Sequence, residues 1–140
     1  AHQQGAPLDL TVKPGATLRP GIDLVLELLN ADRHLSDAAL TIVGEGWLDR
    51  QSAFGKAPVG VAGKAARHGV PVVALCGGRD ESSRQLYQHH IDAMWSICQR
   101  PMPLAESMNT CEQLLADAAE NVLRTFLSGR RGEAHKRITV

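Results

Sequence analysis

The apolar positions of this chain come in short bursts separated by glycine and proline, and the spacing inside the bursts switches between helical and extended periods. From Pro20 onward Ile22, Val25, Leu26 and Leu29 recur at helical intervals. A proline is tolerated in a first turn, so a helix is predicted from Pro20 to about Arg33. Residues 38–43 are almost wholly apolar and end at Gly44, which predicts a strand buried on both faces, as in parallel sheets. Residues 58–68 return to helical spacing, with Val61, Ala62, Ala65 and Ala66 inward, Lys64 and Arg67 outward, and Gly69 as the stop. Residues 70–75 predict a second buried strand halted by Gly77-Gly78. Residues 80–89 predict a helix with Leu86 inward, and residues 91–97 a third strand. Pro101-Met102-Pro103 then breaks the chain. Thr110 is the expected N-cap of a long amphipathic helix through Leu114, Leu115, Ala118, Val122, Leu123 and Phe126 to Gly129.

The ends are less patterned. Residues 1–14 hold one apolar patch, Leu8-Asp9-Leu10-Thr11-Val12, among glycines and prolines, and read as an unassigned arm or short strand. Residues 130–140 read as a mobile tail, leaving 15–129 as the α/β segment. Strand, helix, strand, helix, strand implies parallel pairing through right-handed crossovers. Three strands fall short of the ~5 usual in such a sheet, so the segment is expected to be the C-terminal part of a larger fold.

Bulk properties narrow the partners. The chain has 140 residues, 44% hydrophobic and 21% charged, as in an ordinary globular domain. Fifteen basic residues balance fifteen acidic ones, which argues against a nucleic-acid or anionic-membrane surface. No apolar run reaches the ~20 residues needed to span a bilayer. Cys76, Cys98 and Cys111 show no C-x-x-C spacing, so a disulfide framework or zinc site is not expected, and reduced thiols point to the cytoplasm. Cys76 reads as a small core residue, and His89-His90 lacks a third ligand at a useful spacing. A sheet with an open edge would also self-associate, which keeps a homo-oligomer in view.

Candidate chemistry gathers in one stretch, from Gly44-Glu45-Gly46-Trp47 through Asp49, Gln51 and Ser52 to Gly55-Lys56. In open α/β sheets the ligand crevice lies at the carboxyl ends of the strands, where this stretch begins. Its glycines let backbone N–H groups approach an anion, Glu45 and Asp49 supply carboxylates, and Lys56 stands at the mouth of a helix. Phosphoryl transfer requires these parts: positive charge on the moving group, and a carboxylate that holds magnesium or takes the hydroxyl proton. The stretch is not a Walker A loop, because Arg50 stands five residues before Gly55 and Ala57 follows Lys56. Nor is it a dinucleotide fingerprint, since Asp49 occupies the third glycine position. Gly77, after the next strand, joins the candidate crevice, and Trp47 stands where it could wall a pocket. On residue types alone a solvated turn, or a non-catalytic module binding an anion or a protein, explains the pattern as well.

The ordered series Leu18-Arg19-Pro20-Gly21-Ile22, Gly44-Glu45-Gly46-x-Leu48-Asp49-x-Gln51-Ser52, Gly55-Lys56-x-Pro58, Gly60-Val61-Ala62, Gly77 and Ile91-Asp92-Ala93 resembles the C-terminal part of bacterial glycerate kinases. The resemblance covers roughly residues 15–128. It implies a flavodoxin-like or Rossmann-like three-layer αβα fold within a two-domain enzyme that phosphorylates D-glycerate, usually to 2-phosphoglycerate, with ATP and magnesium. Carried over, Glu45, Asp49 and Lys56 become the catalytic candidates, with Asp49 a candidate magnesium ligand. Gly44, Gly46, Gln51, Ser52, Gly55 and Gly77 become substrate- or phosphate-binding candidates. Trp47 departs from the family's usual Arg, and the family's N-terminal glycine-rich elements are absent. The chain is therefore expected to be inactive alone.

Overall fold

A computed structural model describes residues 15, 17 and 19–132, so the apolar patch at residues 8–12 and the tail beyond 132 lie outside the described residues. The helices and strands run α1 (Gly21–Leu28), α2 (Ala31–Ser36), β1 (Thr41–Leu48), α3 (Ala57–Arg67), β2 (Val72–Arg79), β3 (Ala93–Ser96), α4 (Leu104–Asn109) and α5 (Cys111–Gly132). A 3-10 turn at Arg50–Ala53 follows β1, and a 3-10 helix at Glu81–His89 follows β2. The three strands are parallel in the order β1-β2-β3, as the strand-helix-strand alternation predicts.

Four local expectations are corrected. The first helix is two helices, because Asn30 adopts a left-handed conformation (φ 50°, ψ 44°) that asparagine tolerates. Of its four periodic residues only Leu26 is buried. Gly44 does not end β1 and Gly77-Gly78 does not end β2, since the ladder continues through Glu45↔Cys76, Trp47↔Gly78 and Leu48↔Arg79. Backbone pairing needs no side chain, so a glycine inside a run that keeps its partner stays in the strand. Residues 80–89 wind as a 3-10 helix. Finally, Thr110 stands just before α5 and its carbonyl accepts from Leu114 N at 3.0 Å, but its Oγ1 turns back to donate to the Glu106 carbonyl at 2.9 Å, at the C-terminus of α4, instead of capping α5 with its side chain.

The layers explain the two sides of the sheet. On one side α2, α3 and the second 3-10 helix bury Leu35, Val43, Leu48, Ala62, Ala65, Val72, Ala74, Cys76, Leu86 and Met94 in one core. Alanines at 62 and 65 let α3 approach the strands closely. The Asp32 carboxylate of α2 holds α3 from outside by accepting from Lys64 Nζ at 2.5 Å and pairing with His68 Nε2 at 3.0 Å. Lys64 is therefore folded back onto the protein, not turned out to solvent, and Ala66, expected inward, is exposed because α3 turns Ala62 and Ala65 to the sheet instead. On the other side α5 covers the sheet with Ala118 and Val122 against Leu75 and Ile97. Burial holds Cys76 in the first core and pushes its thiol pKa up, which suits a packing residue. No helix among the described residues is long and apolar enough to cross a membrane.

Candidate functional site at the carboxyl ends of the strands

Strand alternation decides what each side of the sheet presents. Gly44 pairs with Leu75, which packs on the α5 side, so Gly44 and, two residues on, Gly46 face that side too. Two glycines leave the sheet bare there, and a groove of about 690 Å³ opens between the strands and α4–α5. Its lining includes Gly44, Glu45, Gly46, Trp47, Gly77 and Gly78 from the strands. Leu104, Ser107, Met108, Cys111 and Leu115 close it from α4 and α5.

Gly77 is fixed by packing: a Cβ there would lie 2.7 Å from the Gly46 carbonyl oxygen, a contact with rigid backbone. At Gly78 a Cβ would lie 2.5 Å from the indole of Trp47, so the ring of Trp47 occupies the space next to that glycine.

The rest of the candidate stretch goes elsewhere. Asp49 leaves β1 as the N-cap of the 3-10 turn, with its Oδ1 accepting from Ser52 N at 3.0 Å. Asp49 N donates in return to Ser52 Oγ at 3.2 Å, closing a reciprocal cap. Ser52 is fully buried, so its hydroxyl serves this turn. Gln51 is exposed, Gly55 turns the chain with a left-handed φ of 70°, and Lys56 is the N-cap of α3 with Pro58 buried beyond it. The structure thus gathers Gly44, Glu45, Gly46 and Gly77 around the groove. Asp49, Gln51, Ser52, Gly55 and Lys56 lie outside its lining, along the turn into α3.

Asp80 was not singled out by sequence. It leaves β2 as Asp49 leaves β1, capping Ser83 N at 3.3 Å and accepting from Ser82 Oγ at 2.6 Å. Ser82 Oγ also accepts from Arg50 N at 2.8 Å, and Asp80 N donates to Leu48 O at 3.2 Å, so the two strand exits are tied together. The signal was legible as a twice-used pattern, Asp49-x-x-Ser52 and Asp80-x-x-Ser83. The α4–α5 wall of the groove carried none, because those residues meet the glycines only through the fold.

Among the described residues, no three His, Cys, Asp or Glu side chains gather to hold one metal ion. A single carboxylate such as Asp49 fits a magnesium that arrives with phosphate and water ligands, not a metal caged by protein.

Comparison with known proteins supplies the family. The profile of the glycerate kinase family matches residues 5–127. Glycerate kinase of Halalkalibacterium halodurans is 41% identical over 107 residues, covering 76% of this chain and 28% of the relative. Glycerate kinase of Neisseria meningitidis serogroup B is 45% identical over 107 residues, with 76% of this chain and 29% of the relative covered. Glycerate 2-kinase of Escherichia coli K12 is 35% identical over 117 residues, with 84% and 31% covered. A crystal structure of a glycerate kinase 2 from Salmonella typhimurium LT2 superposes with a TM-score of 0.61 at 34% identity, covering 84% of this chain and 29% of that one. The chain thus spans roughly 28% to 31% of the length of these relatives. With a parallel αβα core, a groove at the strand ends and a family profile matched over residues 5–127, the chain belongs to the glycerate kinase family.

Proposed function

We propose that this chain forms part of the active site of a cytoplasmic enzyme that phosphorylates D-glycerate with ATP and magnesium to 2-phosphoglycerate, and that it does not turn over alone. The observation that carries this reading is the glycine-floored groove at the carboxyl ends of β1 and β2, with Glu45 in its lining and Asp49 at the strand exit. Ligands of open parallel sheets bind at these ends. Glu45 or Asp49 would take the hydroxyl proton or hold magnesium, which would supply charge neutralisation for the transferred group. Lys56 neutralises phosphate or the glycerate carboxylate from the start of α3. The chain's span of under a third of its relatives supports a site completed by other segments.

The test is a chimera in which this chain replaces the matching segment of the Halalkalibacterium halodurans relative. ATP consumption dependent on D-glycerate is expected from the chimera and not from the chain alone. Asp49→Asn keeps an N-cap, since asparagine caps as well as aspartate, but removes the charge. That variant and Lys56→Ala should each lower kcat on the order of 10²-fold or more. Undiminished rates in both would remove this stretch from the mechanism.

A further inference from the structure

Gly44 and Gly46 have no packing or conformational reason to be glycine. A Cβ at Gly46 would meet nothing within 4 Å, and one at Gly44 only the Leu75 carbonyl oxygen at 3.9 Å. Neither has a positive φ. Glycine inside a strand weakens it, so glycines flanking Glu45 in open space mark a place where something else approaches the backbone closely.

The lining says what kind of group that is. Leu75, Ile97, Leu104, Met108 and Leu115 make the walls mainly apolar. Among the described residues no Lys or Arg lines the groove, and Glu45, which pairs with Cys76 of the α3-side core, directs its carboxylate toward the opposite face of the sheet. Among the described residues nothing in the lining would offset the charge of a triphosphate or of glycerate. A purine ring is neutral, flat, apolar on its faces and carries an amine donor on its edge. The groove's volume of about 690 Å³ is ample for such a ring.

We propose that the groove seats the purine ring of the nucleotide, laid on the bare backbone of Gly44 and Gly46, with the phosphates leading out of the groove. This assignment rests on the kinase reading above.

The chain holds two tryptophans, so a Trp95→Phe variant leaves Trp47, in the lining, as the sole reporter. Adenosine should change its fluorescence saturably, whereas tripolyphosphate and D-glycerate should not. Gly44→Val places a side chain in open space on the groove floor. It should weaken adenosine binding at least tenfold while leaving the thermal midpoint of the chain in place. The assignment is overturned if tripolyphosphate alone saturates the signal, or if adenosine binds Gly44→Val as tightly as the parent. It is equally overturned if millimolar adenosine produces no response; sedimentation as a dimer would then assign the groove to a second copy. An active chimera with no adenosine response sinks the purine seat and leaves the kinase reading intact. Adenosine binding by a chain whose chimera is inactive does the reverse.

Discussion

The two sides of the sheet are built to different standards. The α3 side buries thirteen residues in one cluster, with Leu48, Ala62, Ala65 and Leu86 wholly shut from solvent. The α5 side buries four, and its helices leave Leu104, Met108, Leu115, Leu123 and Leu127 largely exposed beside an open groove. Both sides draw on the same strands, so strand propensity does not separate them. Small residues do. On α3 the alanines bring a helix down onto the sheet, whereas on β1 the glycines hold nothing against it. One side is a closed core and the other, among the described residues, is left partly open.

The sharpest way to break that contrast is truncation on each side. Leu48→Ala or Leu86→Ala should cost ~2–5 kcal/mol in urea unfolding, because each removes a fully enclosed side chain. Leu115→Ala, at 46% exposed, should cost well under ~1 kcal/mol. Comparable losses at both places would mean that the α5 side is as closed as the other.

Glycine substitutions sharpen the same contrast at the groove. Gly77→Ala forces a methyl group against the Gly46 carbonyl and should destabilise by about 1–3 kcal/mol. Gly44→Ala meets only open space and should be neutral or up to ~1 kcal/mol stabilising. Thermal melts of the two variants read this difference directly, and equal melting points would contradict the geometry.

A smaller effect is expected in association. The exposed leucines and the edge of β1, unpaired among the described residues, should make the isolated chain self-associate at high concentration. Leu123→Lys with Leu127→Lys should shift sedimentation toward monomer while leaving unfolding on the α3 side unchanged.

The smallest effect is electrostatic and belongs to the closed side. Hydrogen bonds from Lys64 and then His68 hold the Asp32 carboxyl at a pKa of about 2, below its ordinary 3.8. A carboxyl depressed in the folded state stabilises it above its unfolded pKa, and that contribution fades as pH falls from about 4 toward 2. Asp32 is exposed and the pair is screened by solvent, so the change should be slight. A carbon-detected titration of Asp32 that gives an ordinary carboxyl pKa would show that α2 is not held this way.

Element order and parallel class were legible because they depend on the apolar period and on short connections. The glycines misled at the strand ends. Read locally, Gly44 and Gly77-Gly78 are stops, yet each stays in a strand because a neighbouring strand supplies hydrogen-bond partners at the right register. The first helix failed for a comparable reason: its apolar period runs on through Asn30, but the backbone there turns left-handed. At the candidate site, residue types pointed to Glu45, Asp49 and Lys56 as candidates, while the fold divided them between a groove and a capped turn.

By itself, then, the sequence determined the alternation of strands and helices, the burial of Ala62 and Ala65 on α3 and the stretch in which candidate chemistry gathers, since periodicity and residue type are properties of neighbours along the chain. Only the tertiary structure decided that Gly44 and Gly46 floor a groove, that Asp49 and Asp80 form linked caps, and that α4–α5 closes the far wall. Those relations join residues separated by about thirty to seventy positions. Their energy comes from pairing and packing in space, which no local pattern encodes.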